Sequence, residues 1–215
     1  MDLPPSDTAR LVLLRHGETT WSAAGKHTGR TDLPLTAAGE REARGARHRL
    51  RDLDPAVVYT SPLLRARRTA ELAGFADAVV DPDLAEWDYG PVEGRTSAEI
   101  SEVIGREFDI FREGVGVLPA GPAGSAPDGG TPGGEELAEV RARADRFVAR
   151  ARPTLDDGGT VLVVAHGHLL RVLATAWLDV DPAFGARLEL GTAAICALGT
   201  SHGLESIEAW NLVAG

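Results

Sequence analysis

Only one cysteine, Cys196, occurs in the chain, so no disulfide can form within it, and a reducing, cytoplasmic setting is the expectation. No stretch approaches 18 uninterrupted apolar residues, which argues against a membrane-spanning helix. The opening MDLPPSDTAR lacks the charged-then-apolar pattern of a secretory leader. No GxxxxGK[ST] is found, so P-loop chemistry has no support. Lysine is nearly missing too, since Lys26 is the only one among 22 basic residues. Those 22 are outnumbered by 32 acidic residues, giving a net charge of −10. Such a balance disfavours a broad grip on nucleic acid or anionic lipid, yet a few focused arginines can still make a local anion pocket. No nucleic acid and no membrane is expected as a partner, and a homodimer stays open.

What is present reads as one domain over residues 1–215, a length within the usual range for one. LVLLR (11–15) and TVLVVA (160–165) are continuous apolar runs, the pattern of strands buried on both faces of a parallel sheet. PAVVYTS (55–61) and AVVDPDL (78–84) add two shorter strands. Between them, Thr36 with Glu40 behind it caps a helix to about Leu53, and PLLRARRTAELAG (62–74) is a helix opening on Pro and closing on Gly. Residues 22–35 carry no period and read as loop. Further helices are expected from Thr96 to Glu107, over 135–151 and over 168–178. Residues 112–134, dense in glycine and proline, are expected to be a lid or an insertion. The tail, AAICALGTSHGLESIEAW, alternates around a His-Gly turn and suggests a hairpin at the sheet edge. Strands alternating with helices predict a three-layer α/β/α sandwich with a mostly parallel sheet.

In such sheets ligands bind beyond the carboxyl ends of the strands. Here those ends carry Arg15-His16-Gly17, Thr60-Ser61, Asp81 and Ala165-His166-Gly167, and a helix expected to begin at His168 would offer free amides to an anion. Two histidines, an arginine and a helix N-terminus suit a phosphoryl group. A phosphomonoester needs its charge neutralised and its leaving oxygen protonated. Arginine neutralises with a fork of donors, a neutral imidazole can attack phosphorus, and a carboxylic acid can pass the proton.

LVLLRHGETTWSAAGKHTGRTDLPLTAAGE resembles the opening signature of the histidine phosphatase superfamily, in its phosphoglycerate mutase-like branch. SPLLRARRTAEL, LAEWDYGPVEGRT and VVAHGHLLR are similar to its later motifs, in order, from residue 11 to about 178. The resemblance implies that His16 is the nucleophile, that Arg15 and Arg65 clamp the phosphate, and that Glu86 is the proton donor. It further implies that His166 hydrogen-bonds the phosphoryl oxygens opposite His16. Ser22, Thr28, Gly29, Tyr89 and Gly167 fall where family members contact phosphate or substrate. No cofactor and no metal is implied.

Three departures from the mutases of this family point toward hydrolysis: Ser22 replaces an asparagine, Ser97 stands where a lysine is usual, and Arg112 is alone where a pair is usual. Those basic groups would hold the far end of a bisphosphate. The motifs WSAAGKHTGRTDLPLT and AHGHLLRVLATAWL look most like sugar-bisphosphate phosphatases and actinobacterial acid phosphatases. A phosphatase acting on sugar phosphates or bisphosphates is therefore expected, with a phosphoglycerate mutase as the alternative and a phosphate-binding module without turnover as a third reading. A metal held by His166, His168 and Glu86 is disfavoured by the arginines of the same cleft.

Overall fold

The computed structural model describes residues 9–120 and 132–213. At its centre β1 (Leu11–Arg15) and β4 (Val161–Ala165) pair in parallel, Leu11 opposite Val161 and Arg15 opposite Ala165. On the far side of β4 come β2 (Val57–Thr60) and then β3 (Val79–Val80), both parallel. On the other side of β1 lie β5 (Ile195–Ser201) and β6 (Leu204–Leu212), antiparallel, so the six-stranded order is β3-β2-β4-β1-β5-β6. The β5–β6 turn is the expected His-Gly pair, His202 (φ 53°) and Gly203 (φ 78°), both left-handed as a two-residue hairpin of matching twist requires.

The unbroken apolar runs of β1 and β4 have their expected cause, burial on both faces. Successive side chains point to opposite sides of a strand. Leu11, Leu13, Val161 and Val163 join one core with α6 (Leu137–Asp156) and α7 (Gly167–Trp177), through Phe147 and Leu173 among others. Val12, Leu14, Leu162 and Val164 join a second core with α2 (Ala37–Arg49) and α3 (Leu64–Leu72), through Ala46 and Ala70. The three-layer α/β/α expectation is met. No helix among the described residues is long and apolar enough to cross a membrane.

Several boundaries differ from expectation. Within what reads as loop from residue 22, α1 (Thr20–Ala23) is a single turn held by a capping box between Thr19 and Ser22, too short to leave a period. Helix α2 stops at Arg49 rather than Leu53. The helix after Thr96, α4 (Ser97–Ile104), ends three residues early because Gly105 turns left-handed at φ 72°. Helix α6 continues past Pro153 to Asp156, its last turn pinned by Leu155 in the core. Of the stretch 112–134, residues 121–131 lie outside the described residues; Arg112 belongs to α5 (Ile110–Glu113), and Gly134 packs against the backbone of Asp88 and Gly90.

The loop after β1 crosses the start of α2 at backbone contact. A Cβ on Gly39 would overlap the backbone of Glu18, whereas one on Gly45, in the same helix, meets nothing within 4 Å. Gly39→Ala should therefore destabilise by about 1–3 kcal/mol, while Gly45→Ala should stabilise by about 0.5–1 kcal/mol. Urea unfolding of the two variants measures both; equal effects would mean that the loop can move off α2.

Candidate active site

His16 is the first residue beyond β1, fixed by His16 N donating to Ala165 O (2.9 Å) and by its own carbonyl accepting from Ala193 N (3.1 Å). Its Nδ1 lies 2.7 Å from Gly17 O. A carbonyl can only accept, so Nδ1 carries the proton and Nε2 keeps its lone pair. Gly17 N is held in turn by Thr69 Oγ1 (3.1 Å). The ring is 4 % exposed. It borders a cleft of about 360 Å³ at the carboxyl end of β1 and β4, together with Arg15, Glu86 and Tyr89.

His166, one residue beyond β4, faces it with ring centroids 5.2 Å apart and planes inclined at 59°. Arg65, fully buried on α3, donates from Nε to His166 Nδ1 (3.2 Å). A guanidinium cannot accept, so His166 carries its proton on Nε2, which lies 2.7 Å from Ser61 Oγ. Arg65 also donates to Thr31 O (3.0 Å), Thr28 O (2.9 Å) and Gly29 O (2.9 Å), so this cation organises a loop as well as an imidazole. Arg15 donates from Nη1 to Leu190 O (2.5 Å), while its buried Nε has no partner among the described residues. A Cβ on Gly167 would stand 3.2 Å from that Nε, so glycine there leaves room for the guanidinium.

The N-terminus of α7 corrects one expectation. It was to offer free amides to a phosphoryl group, and the helix was to start at His168. It starts at Gly167, and His168 N (3.1 Å) and Leu169 N (2.9 Å) already donate to Glu86, whose Oε1 also accepts from Trp87 N (3.0 Å). A carboxylate brought from the loop satisfies the orphan donors of the helix end. Asp81 is also corrected: it is buried, bonded to Arg150 (2.5 Å), and at the edge strand β3, away from the β1–β4 junction.

The remaining expected contacts divide. Ser22 and Thr28 line the cleft, although Ser22 Oγ already donates to Thr19 O (3.1 Å) and Thr28 Oγ1 to Lys26 O (3.1 Å). Tyr89 lines it too, its hydroxyl 2.5 Å from His168 Nδ1. Gly29 does not fit the role of a substrate contact. Its N–H donates to the Glu93 carboxylate (2.9 Å), and a Cβ there would lie 2.6 Å from Glu93 Oε2 and 3.0 Å from Tyr89 Cδ2. It is glycine because two backbones pass at contact. Trp87, fully buried, is core. Sequence reading missed Glu93 and His27, each acting across 60 or more residues with no local pattern to mark it, whereas Ser61, expected at a strand end of the cleft, lies against His166.

Burial dominates the electrostatics. It pushes the His16 pKa well below the usual histidine value, and Arg65 and Arg15 push it the same way. His166 is lowered by burial, then by Arg65 and His16; His168 by burial, then by Arg171 and His27. His27 is lowered by burial, opposed by its bond to Arg95 O. Burial raises the Tyr89 phenol well above its usual range, with Glu86 and Glu93 adding to it. His166 and His168, weighed as a metal pair, engage different partners, Arg65 with Ser61 and Tyr89 respectively. Among the described residues no three His, Cys, Asp or Glu are grouped to hold a metal.

Such a fold and site define an α/β protein with an unprotonated imidazole nitrogen beside two guanidiniums, that of buried Arg65 and that of half-buried Arg15. The chain belongs to the histidine phosphatase superfamily (branch 1), whose family model matches residues 11–213. It is 38% identical over 205 residues to an acid phosphatase of Mycobacterium tuberculosis, covering 92% of this chain and 90% of that one. With the sedoheptulose 1,7-bisphosphatase of Saccharomyces cerevisiae it shares 36% over 198 residues, covering 82% and 70%. A 2,3-bisphosphoglycerate-dependent phosphoglycerate mutase of Corynebacterium diphtheriae is 34% identical over 209 residues, covering 86% and 83%. Among solved structures, a mycobacterial glucosyl-3-phosphoglycerate phosphatase complexed with VO3 superposes with a TM-score of 0.75 at 30% identity, covering 94% and 98%.

The neutral imidazoles fix a pH dependence. His16, His27, His166 and His168 all bind protons more weakly in the folded state than a histidine ordinarily does. The unfolded chain takes up protons below about pH 6.5, before the native chain does. Stability is thus full above that pH and lost as pH falls through the window down to the lowered native values. The slope is up to about 1.4 kcal/mol per pH unit for each histidine. Urea midpoints at pH 7.5 and 5.5 should differ accordingly, the lower pH being the weaker; equal midpoints would contradict the assigned burial.

Proposed function

We propose that the protein is a phosphoric monoester hydrolase that works through a phosphohistidine on Nε2 of His16, on small phosphorylated metabolites, sugar phosphates or bisphosphates foremost. The observation that carries this is the fixed tautomer of His16: Gly17 O holds the proton on Nδ1 and leaves Nε2 unprotonated beside Arg15 and Arg65. Membership of the superfamily and the phosphatases among the relatives support it.

In the first half-reaction the Nε2 lone pair attacks phosphorus and the ester P–O bond breaks, its electrons leaving with the alkoxide. Glu86 delivers a proton to that oxygen. Arg15, with an unpartnered Nε, neutralises the equatorial oxygens. The Nε2–H of His166, now on Ser61, transfers its hydrogen bond to the phosphoryl group when the hydroxyl rotates away. Arg65 holds His166 in that tautomer. In the second half a water gives its proton to Glu86, attacks phosphorus, and the P–N bond breaks to restore His16. Burial that keeps His16 deprotonated also keeps it nucleophilic in acid.

Hydrolysis is preferred over mutase action because the cleft sector next to Lys26 presents Ser97 where a second cation would be needed. With that cation absent, Lys26 and Arg171 are what the cleft offers beyond Arg15, a weaker grip on a departed phosphoglycerate awaiting return of the phosphoryl group. Assays on 3-phosphoglycerate with 2,3-bisphosphoglycerate should show phosphate release outrunning isomerisation, and the opposite order would favour the mutase.

His16→Ala should lower turnover of p-nitrophenyl phosphate by on the order of 10³ or more, with EDTA without effect. Glu86→Gln should slow alkyl phosphates by about 10²–10⁴ and p-nitrophenyl phosphate far less, since nitrophenolate leaves unprotonated. Steady-state rates test both. Full activity in the His16 variant would refute the assignment.

A further inference from the structure

One imidazole in the cleft has no part in the phosphoryl chemistry. His27 lies between α1 and the Thr28–Thr31 loop, 7 % exposed, and lines the cleft. Its Nδ1 is 2.8 Å from Arg95 O, so that nitrogen carries the proton and donates it. Its backbone is tied to the same residue, His27 N donating to Arg95 O (2.9 Å) and His27 O accepting from Gly94 N (2.9 Å). Tyr89 and Phe108 meet the ring edge-on at 5.0 and 5.9 Å, and His168 stacks on it at 5.9 Å. These contacts hold the ring at the cleft wall, and among the described residues no donor reaches Nε2, which is left as an acceptor.

We infer that His27 Nε2 accepts a hydrogen bond from a hydroxyl of the substrate, making His27 a specificity residue for hydroxylated over non-hydroxylated phosphate esters. The inference rests on the phosphatase reading and narrows it. A lone acceptor has nothing to offer a second phosphate or carboxylate, which at neutral pH bring only acceptors of their own. A cationic substituent is disfavoured because Lys26 and Arg171 line the same cleft. A hydroxyl is a neutral group that fits, and its absence in a bound substrate would leave the covered nitrogen unpaired, at the cost of one neutral hydrogen bond. Burial keeps the ring neutral and hence an acceptor.

The test uses D-glucose 6-phosphate and its 1-, 2-, 3- and 4-deoxy analogues with the wild type, His27→Phe and His27→Gln. In the wild type, one analogue should lose about tenfold in kcat/KM, the size of one neutral hydrogen bond. In His27→Phe the same analogue should fall within twofold of its parent, and His27→Gln, which keeps an acceptor near Nε2, should restore the difference. The wild-type comparison needs no variant to fold. No deoxy penalty in the wild type, no turnover of these sugar phosphates, or an unchanged penalty in a folded His27→Phe would each overturn the role of His27, while His16-dependent hydrolysis of p-nitrophenyl phosphate would leave the phosphatase reading standing. Loss of that hydrolysis in the wild type would overturn both.

Discussion

Two imidazoles from strands far apart in the chain meet because β1 and β4 pair in parallel and in register, Arg15 opposite Ala165. The next residue on each strand is then a histidine, and the rings stand 5.2 Å apart. Everything else in the site is arranged around that pair. Shifting the register by one residue would turn a histidine to the opposite face of the sheet, so the buried aliphatic runs that fix the register also fix the chemistry. Core packing and candidate catalysis are one constraint here.

Placing two guanidiniums in the same space carries an electrostatic cost, which backbone carbonyls offset through hydrogen bonds and carboxylates through space, Glu86 for both cations and Asp32 and Glu93 for Arg65. Arg65 is bonded to three backbone oxygens and an imidazole, and Arg15 to Leu190 O with Nε unpartnered. The carboxylate closest in role, Glu86, is turned to the amides of α7. Arg15 Nε, which has no acceptor among the described residues, is poised for an anion. The same positive field and burial keep the histidines neutral, which a nucleophilic imidazole requires.

Much of this was readable from the sequence because it is local. Continuous apolar runs mark strands buried twice over, Thr36 marks a helix start, and His202-Gly203 marks a tight turn. What could not be read depends on contacts between distant segments. Glu93 reaches Gly29 across 64 residues, Ser61 reaches His166 across 105, and Glu86 fills the α7 terminus across 82 or 83. None leaves a period or a spacing behind. Gly29 illustrates the consequence: a motif position suggests a substrate contact, whereas its hydrogen is owned by Glu93 and its missing side chain is dictated by the Trp87 carbonyl, which a Cβ there would overlap. His27 is similar, since its burial comes from Tyr89 and Phe108 rather than from any pattern around Lys26 and Thr28.

The central claim is that phosphorus passes through a covalent bond to His16. Millisecond mixing with ³²P-labelled substrate, an alkaline denaturing quench and peptide mass spectrometry test it directly. Labelled protein should form before free phosphate accumulates, with the phosphoryl group on Nε2 of His16. Phosphate appearing with no labelled protein at any time, or label on another residue, would contradict it.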